Sequence, residues 1–225
     1  MKKIKDSNKK VSKFVKIFDY KMFFYDFVKW FFGWPLIFVF WPKRIYYKTK
    51  RKGLFKGEYI ISANHISYTD IFKIGVAFWF RRISYVATEH LYEDKVRGWL
   101  MTKSRVISIN KDNPSLKTFK EIQDRINRGH LVAIFPEGEI NRHDKNGSDY
   151  KSGVILMSLF ANAPILPMYY KKKKKWYHRQ KAVFGPKFYV KDHIKKEFPT
   201  IDEINNCVNK LKEIELELAE YYDKN

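Results

Sequence analysis

Short runs of β-branched and aliphatic residues alternate with segments of helical apolar spacing along most of this chain. The runs predict strands at residues 58–63, 83–87, 105–109, 131–135, 165–170 and 182–190. The helical spacing predicts helices at 68–80, 90–102, 113–128 and 153–162. A helix between two strands lets the second strand lie parallel to the first. We therefore predict an α/β domain with a mixed, partly parallel sheet flanked by helices.

The first 42 residues form a separate part, in which a lysine-rich segment precedes an aromatic one. Residues 30–42 carry no charge, but as a helix they would extend only about 20 Å, less than the ~30 Å core of a bilayer. Basic residues lie on both sides, and Gly33 and Pro35 interrupt the helical pattern. We predict two short apolar helices that lie in a membrane surface as a monotopic anchor. The alternative is an aromatic helix that packs on the domain.

The last part of the chain, residues 199–225, is acidic and has apolar residues at three- and four-residue spacing. This pattern predicts an amphipathic helix that packs on the domain or binds a partner. The α/β domain then occupies residues 43–198. The single cysteine, Cys207, lies beside the apolar stripe and is predicted to be a core residue; one cysteine excludes a disulfide scaffold and a thiolate metal cluster.

The charge of the chain predicts an anionic partner. There are 45 Lys and Arg residues against 24 Asp and Glu, which gives a net charge of +21. Membrane headgroups, nucleic acid and acidic proteins or metabolites all fit this charge. Because 45% of the residues are apolar, a disordered chain is excluded.

The first candidate site follows the strand predicted at 58–63. His65 lies just past the strand end, and Asp70 lies in the first turn of the next helix. A neutral imidazole is an effective general base near pH 7 when a carboxylate fixes its tautomer. Since no nucleophile pattern accompanies the pair, it would deprotonate a hydroxyl brought by the substrate. The alternative is a capping box with Ser67 as N-cap and Asp70 as its third helical residue.

Three further motifs lie next to predicted strands. Glu137 would accept hydrogen bonds from hydroxyl groups, and Gly138 would let the backbone approach a ligand closely. Lys111 offers a cation to a phosphate. Pro164 and Pro167 would stiffen one wall of an apolar groove. Each motif also has a plain structural interpretation, as a charged turn, a solvated lysine or a strand start.

Together these motifs resemble the glycerolipid acyltransferase family, in particular the 1-acyl-sn-glycerol-3-phosphate acyltransferases. The family's His-(four residues)-Asp motif matches at His65 and Asp70, after the usual Asn64. The Phe-Pro-Glu-Gly motif matches at 135–138, and the proline-bracketed block matches at 164–167. The two-helix anchor of the family also agrees with the predicted amino-terminal element.

The resemblance covers about residues 56–170 and implies a reaction. His65 would be the general base for the acceptor hydroxyl, and Asp70 would orient it. The hydroxyl would attack the thioester of acyl-CoA or acyl carrier protein directly, with no acyl-enzyme, no cofactor and no metal. The resemblance also implies substrate contacts and an acyl groove, with these residues: Asn64, Lys111, Glu137, Gly138 and Arg142 for the substrate, and Pro164 and Pro167 for the groove.

The sequence departs from the family pattern at two places. The family usually has arginine where this chain has Lys111, which keeps the charge but loses the bidentate fork. The family's Glu-Gly-Thr-Arg ends here in Glu139 and Ile140, so the expected phosphate-binding arginine is an isoleucine. Arg142 is predicted to replace it. The acceptor is therefore either 1-acylglycerol-3-phosphate, giving phosphatidic acid in phospholipid biosynthesis, or a lysolipid with a less anionic headgroup.

The predicted partners are a lysophospholipid acceptor, acyl-CoA or acyl carrier protein, and an anionic membrane surface on the cytoplasmic face of the inner (plasma) membrane. The five lysines at 171–175 predict a further contact with that leaflet or with an acidic carrier protein. A catalytically silent lipid-binding protein of the same fold is one alternative. A nucleic-acid-binding module is another; it is disfavoured because the aromatic residues concentrate in one block and no nucleic-acid-binding motif is present.

Overall fold

The computed structural model describes residues 20–54, 56–110, 113–140, 150–172, 179–194, 196 and 199–225. Within these residues, seven strands form one sheet in the order β1-β7-β6-β2-β5-β3-β4. The strands are β1 (Lys43–Tyr46), β2 (Ile60–Ala63), β3 (Ile83–Thr88), β4 (Ile107–Ile109), β5 (Leu131–Ile134), β6 (Ile165–Tyr169) and β7 (Lys181–Phe184). Strands β2 to β6 are parallel to one another, whereas β7 pairs antiparallel with β6. The predicted mixed, partly parallel sheet is confirmed.

Helices and apolar clusters cover both faces of the sheet. The helices are α1 (Phe23–Phe40), α2 (Arg51–Leu54), α3 (Asp70–Ala77), α4 (Lys95–Lys103), α5 (Leu116–Asn127), α6 (Gly153–Ala161), α7 (Val190–His193) and α8 (Ile201–Lys224). Successive residues of a strand face opposite sides, so Ile60 packs in the cluster with α5 and α6, and Ile61 packs in the cluster with α3. Because β2 is buried on both faces, all of its residues except Ser62 are apolar.

Several boundaries differ from the sequence prediction. Strand β7 ends at Phe184 instead of continuing to residue 190, because Pro186 has no N–H for the ladder and Val190 begins α7. Helix α5 begins at Leu116, since the Ser115 side chain accepts a hydrogen bond from the Thr118 amide and is therefore the N-cap. The segment 90–102 divides into a 3-10 turn at Glu89–Tyr92 and helix α4.

Helix α1 is bent, in agreement with two short helices that meet near Gly33 and Pro35. A 3-10 turn, Tyr20–Met22, leads directly into α1. The segments Tyr20–Phe31 and Gly33–Phe40 differ in direction by 59°. Gly33 lies against the ring of Trp79, and a side chain at this position would overlap that ring. No helix in the described part of the chain is by itself long and apolar enough to cross a membrane; by length and composition, the bent pair taken together is.

One side of α1 packs on the domain, and the other side is exposed. Asp26 forms an ion pair with Arg82 at 2.8 Å, and Trp30 meets Trp79 edge to face. The exposed apolar residues recur at helical spacing and form what we call the outer face of α1: Phe23, Phe27, Phe31, Trp34 and Phe38. The packed-helix alternative therefore describes one side of α1 only.

The carboxyl-terminal helix α8 packs on the sheet beside β6 and β7. Thr200 and Glu203 form a capping box at its start. Val208, Leu211 and Leu218 of the predicted stripe are buried, and Cys207 is a buried core residue. Ile201, which the spacing places in the same stripe, is exposed.

Candidate active site

The candidate site lies where two neighbouring parallel strands end. Strands β2 and β5 are adjacent and parallel, so the segments that follow them meet at the same edge of the sheet. The first segment carries His65, and the second carries Phe135 and Glu137. The rings of His65 and Phe135 stack with centroids 4.0 Å apart. Two motifs that are 72 residues apart in the chain therefore form one site.

His65 and Asp70 form the pair that the sequence predicted. Nδ1 of His65 lies 2.9 Å from Oδ2 of Asp70, and the Asp70 side chain is fully buried. The same carboxylate oxygen accepts hydrogen bonds from the amides of Ile66 and Ser67 at 2.8 and 2.7 Å. The turn between strand and helix thus fixes the carboxylate, and the carboxylate fixes the imidazole ring.

Only one half of the alternative capping box is present, because Asp70 Oδ2 accepts from the Ser67 amide but the Asp70 amide donates to the Ser67 carbonyl and not to its hydroxyl. Helix α3 begins at Asp70, so this residue is not at the third helical position. The Ser67 hydroxyl bonds to the side chain and the amide of Thr69 and does not cap Asp70. Oδ2 of Asp70 points back to the turn, where it accepts hydrogen bonds from the ring and the two amides.

Lys73 is a member of this site that the sequence prediction missed. Its Nζ lies 2.8 Å from Oδ1 of Asp70, one turn along α3, and 5.1 Å from the ring centroid of Tyr170. The side chain is only 12% exposed. Burial raises the pKa of Asp70, but the hydrogen bonds from His65 and Lys73 and the charge of Lys73 outweigh it and hold this pKa below its usual value. The available signal was the three-residue spacing of Asp70 and Lys73 on a helix.

Asn64 joins two strand ends. Its Nδ2 donates to the Tyr170 carbonyl at 2.8 Å, and its Oδ1 accepts from the Tyr170 amide at 3.1 Å. The side chain is buried. The Asn64 side chain therefore holds the two strand ends together, and its contact with substrate stays a prediction.

Glu137 and Gly138 form the turn beside His65. Oε1 of Glu137 accepts a hydrogen bond from the His65 amide at 3.2 Å, and Glu137 is buried. Gly138 has φ = 72°, a conformation that favours glycine, and its amide bonds to the Phe135 carbonyl. Glu137 thus supports the backbone that presents the imidazole. Whether substrate contacts Glu137 or Gly138 stays a prediction.

A second carboxyl, Glu215 of α8, lies near Glu137. Burial and, after it, repulsion from Glu137 raise the pKa of Glu215 to about 8. No sequence pattern indicates this proximity, because Glu215 belongs to a helix whose polar residues are typical of a solvated face.

The prediction of a phosphate-binding cation remains a prediction, since Lys111 and Arg142 lie outside the described residues. The chain reaches the surface at the exposed Glu139 and the half-buried Ile140. Of the predicted lysine run, Lys171 pairs with Asp223 at 2.8 Å, while residues 173–175 are also outside the described part.

Pro164 and Pro167 do not fit the predicted acyl groove. Pro164 precedes β6, and its carbonyl accepts from the Ile60 amide at the start of β2, the opposite edge of the sheet from His65. Pro167 is buried inside β6 and lies opposite Gly185 of the next segment. Both prolines therefore belong to the packing of the sheet. Among the described residues, no group of three or more His, Cys, Asp or Glu side chains is arranged to hold a metal ion.

Comparison with known proteins gives three results. Residues 44–171 match the model of a protein family described as Acyltransferase. A 1-acyl-sn-glycerol-3-phosphate acyltransferase of Bacillus subtilis (strain 168) is 25% identical over 112 residues, which are 50% of this chain and 55% of that protein. The crystal structure of the 1-acyl-sn-glycerophosphate (LPA) acyltransferase PlsC from Thermotoga maritima aligns with a TM-score of 0.51 and 14% identity, over 89% of this chain and 94% of that chain. The chain thus spans about half the length of the curated relative. The crystal structure has the same fold as this chain.

Proposed function

The chain belongs to the Acyltransferase family, and from this premise we propose that it transfers an acyl chain from an acyl thioester to the hydroxyl of a lysophospholipid. The observation that carries the proposal is the His65–Asp70 pair, which lies inside the matched residues at the edge of a parallel sheet. The Ser67 hydroxyl next to it makes its hydrogen bonds with Thr69, and the attacking oxygen in this proposal belongs to the substrate.

The geometry suits a direct transfer. The carboxylate of Asp70 accepts a hydrogen bond from Nδ1–H of His65, which fixes the tautomer that leaves the lone pair of Nε2 for the acceptor hydroxyl. Nε2 takes the proton of the acceptor hydroxyl while the hydroxyl oxygen forms a bond to the thioester carbonyl carbon. The carbon–sulfur bond then breaks, and the proton passes from the imidazolium to the leaving thiolate. General base catalysis of this kind contributes about 10²- to 10⁴-fold.

The acceptor that we propose is 1-acylglycerol-3-phosphate, with phosphatidic acid as product. Both named relatives are acyltransferases for this acceptor. Lys111 and Arg142, together with the turn at Glu137 and Gly138, are the proposed contacts to its glycerol phosphate. Ile140, at the place where the family has arginine, favours a second candidate, a lysolipid with a less anionic headgroup. The acyl donor is acyl-CoA or acyl carrier protein.

We also propose attachment to the cytoplasmic leaflet of a membrane through residues 1–42. The outer face of α1 supports it, because large aromatic side chains that project from a protein of net charge +21 suit an anionic lipid surface. Nucleic acid is not part of the proposal.

The test is an acceptor panel with the purified full chain in detergent micelles. Acyl-CoA and acylated carrier protein are the donors, and lysophosphatidic acid is compared with zwitterionic and neutral lysolipids. A phosphatidic acid product is expected. Transfer only to the other acceptors would keep the chemistry and overturn the proposed acceptor. A folded chain that binds vesicles but transfers to no acceptor would overturn the enzyme proposal in favour of a lipid-binding protein.

A further inference from the structure

Helix α4 buries none of its residues, although it carries an apolar face. Val96 is 75% exposed, Trp99 is 55% exposed and Leu100 is 47% exposed. Helices in folded proteins gain most of their stability from packing such a face against a partner. An exposed cluster of large apolar side chains therefore indicates a partner outside the protein fold.

The apolar face of α4 adjoins the outer face of α1. Trp99 meets Phe24 of α1 edge to face, with ring centroids 5.8 Å apart. The Arg105 guanidinium donates to the Lys21 carbonyl at the start of the same helical element. Phe24 lies next to Phe23 and one turn before Phe27, so α4 contacts α1 beside its outer face.

Basic side chains accompany this surface. Lys95, Arg97 and Lys103 of α4 are all exposed, and long basic side chains can reach lipid headgroups while their stems cover apolar surface. Tryptophan is the side chain that proteins favour at the boundary between lipid chains and headgroups. We propose that α4 enters the same anionic bilayer surface as α1, with Val96 and Leu100 among the lipid chains.

The position of α4 in the fold gives this contact a consequence for the site. Helix α4 follows the carboxyl end of β3, and β3 is parallel to β5 and through it to β2. Helix α4 then leads back to the start of β4, so the contact approaches the site through α1, whose last residue Phe40 stacks on Phe72 of α3, two residues after Asp70. This inference rests on the membrane attachment proposed above.

The direct test places an environment-sensitive dye on α4. Val96→Cys is labelled in the full chain, and the unchanged chain measures background labelling of the buried Cys207. The matched control is Ile201→Cys, which is equally exposed at 76% but lies at the start of α8. With vesicles of phosphatidylcholine and phosphatidylglycerol, we expect a blue shift and quenching by lipid-borne nitroxides for the Val96 label only.

Sedimentation with the same vesicles separates the two ways in which the test can fail. A chain that sediments with vesicles without any change of the Val96 label overturns the role of α4 and leaves the attachment through α1 intact. A chain that does not sediment overturns the attachment and this inference with it. A blue shift on adding acidic carrier protein, but not vesicles, overturns the bilayer as the partner of α4.

An unlabelled pair of variants gives an independent measurement. Val96→Ser combined with Leu100→Ser is expected to weaken partitioning into these vesicles by on the order of tenfold or more. Ile201→Ser combined with Leu216→Ser, which changes two exposed residues of α8, is expected to leave partitioning unchanged. Transfer in detergent micelles should be equal in both variants. Equal partitioning of the two would contradict the inference.

A separate observation concerns Lys73, whose largely buried ammonium pairs with Asp70 Oδ1 while His65 uses Oδ2. The other ionisable groups near this cluster are Tyr170, beneath the ammonium, and Glu137, beside the His65 amide. We infer that Lys73 is a positioning residue of the proposed reaction: it holds the carboxylate in line with the imidazole and balances part of its charge.

The variant Lys73→Met keeps most of the chain length over Tyr170 and removes the charge. We expect kcat to fall by about tenfold and the acid limb of the pH–rate profile to move to higher pH, because an unbalanced carboxylate favours the imidazolium. Lys73→Arg should restore much of the rate. An unchanged profile with a rate within twofold of the wild type would overturn the inference.

An NMR titration of the His65 ring without substrates tests Lys73 independently of the proposed function. Its midpoint should also move to higher pH in Lys73→Met. If the midpoint moves but no variant shows transfer, the proposed function fails and the role of Lys73 toward the ring stands. If transfer occurs and the midpoint does not move, the role of Lys73 fails.

Discussion

The segments that follow β2 and β5 lie side by side, and each contains a buried carboxylate, but the two carboxylates are used differently. After β2, Asp70 accepts hydrogen bonds from a ring nitrogen, two amides and an ammonium, all within 2.9 Å. After β5, Glu137 accepts the amide of His65 at 3.2 Å, and the chain then turns at Gly138 toward the surface. The β2 segment fixes the orientation of the His65 imidazole. The β5 segment supports the His65 backbone and then continues to the surface.

If the proposed reaction is correct, this difference separates its chemistry from the choice of acceptor. The β2 segment agrees with the family pattern at His65 and Asp70, whereas the β5 segment agrees only as far as Gly138. The departure at Glu139 and Ile140 occurs where the chain has become accessible to a headgroup. A change at this place can alter the preferred lipid without disturbing the imidazole.

Apart from removal of the imidazole itself, Asp70→Asn in the β2 segment should have the largest effect on the chemistry. The amide would favour the wrong tautomer of His65, and we expect kcat to fall about 10²- to 10⁴-fold. Asp124→Asn is the matched control, since Asp124 pairs with Arg128 on the surface of α5. Initial rates in micelles measure the effect, and thermal unfolding checks the fold. A loss smaller than threefold would remove Asp70 from the mechanism.

Glu215→Gln tests, through the free energy of unfolding, whether the Glu215 carboxyl is buried close to Glu137. Since the pKa of Glu215 is raised to about 8 from 4.5, the folded state loses stability as pH rises from about 5 through 8. Allowing for solvent screening, we expect the variant to gain about 2 kcal/mol at pH 9 and nothing at pH 4. Glu213→Gln, an exposed change on the same helix, serves as control. Denaturant unfolding at both pH values is the measurement, and a gain independent of pH would contradict the assigned cause.

Ile140→Arg sharpens the separation between chemistry and acceptor. If the β5 segment selects the headgroup, a guanidinium there should raise kcat/KM for lysophosphatidic acid relative to a zwitterionic lysolipid by about tenfold. In Ile140→Arg, as in the wild type, the rate of transfer to the preferred acceptor should be lost when His65 is replaced by alanine. An unchanged preference would mean that Ile140 does not face the headgroup.

Gly138→Ala should have the smallest effect. At φ = 72° an alanine is strained, and we expect a loss of about 1 kcal/mol in unfolding free energy. Space does not oppose the change, because the nearest atom to the added carbon would be 3.9 Å away. Denaturant unfolding measures it. A loss above about 3 kcal/mol would show that the turn supports more than the backbone of its own segment.

The sequence predicted the sheet well where strands are buried on both faces. Strands β2, β3 and β5 lie within about two residues of their predicted bounds, because continuous apolar runs leave few alternatives. Strand β1 was missed, since Lys43 and Arg44 suit an edge strand that pairs only with the distant β7. No local pattern could show that partner.

The site was predictable where its geometry is local and not where it depends on tertiary contacts. His65 and Asp70 are five residues apart, and one turn brings them together. Asn64 contacts Tyr170 across 106 residues, and Glu215 comes near Glu137 only because α8 packs on the sheet. Sequence spacing contains no information on such contacts, so neither the link from Asn64 to Tyr170 nor the proximity of Glu215 to Glu137 was predicted.

If His65 is the base of the proposed acyl transfer, removing its imidazole should stop the reaction, whereas removing another imidazole paired with a carboxylate should not. His90 provides a matched control, because its Nδ1 also lies 2.9 Å from a carboxylate, that of Glu93, but on the exposed surface. Initial rates of transfer to lysophosphatidic acid are measured in micelles for the wild type, His65→Ala and His90→Ala. We predict a loss of at least about 10³-fold for His65→Ala and none for His90→Ala. Comparable rates for His65→Ala and the wild type, in a folded variant, would contradict the account.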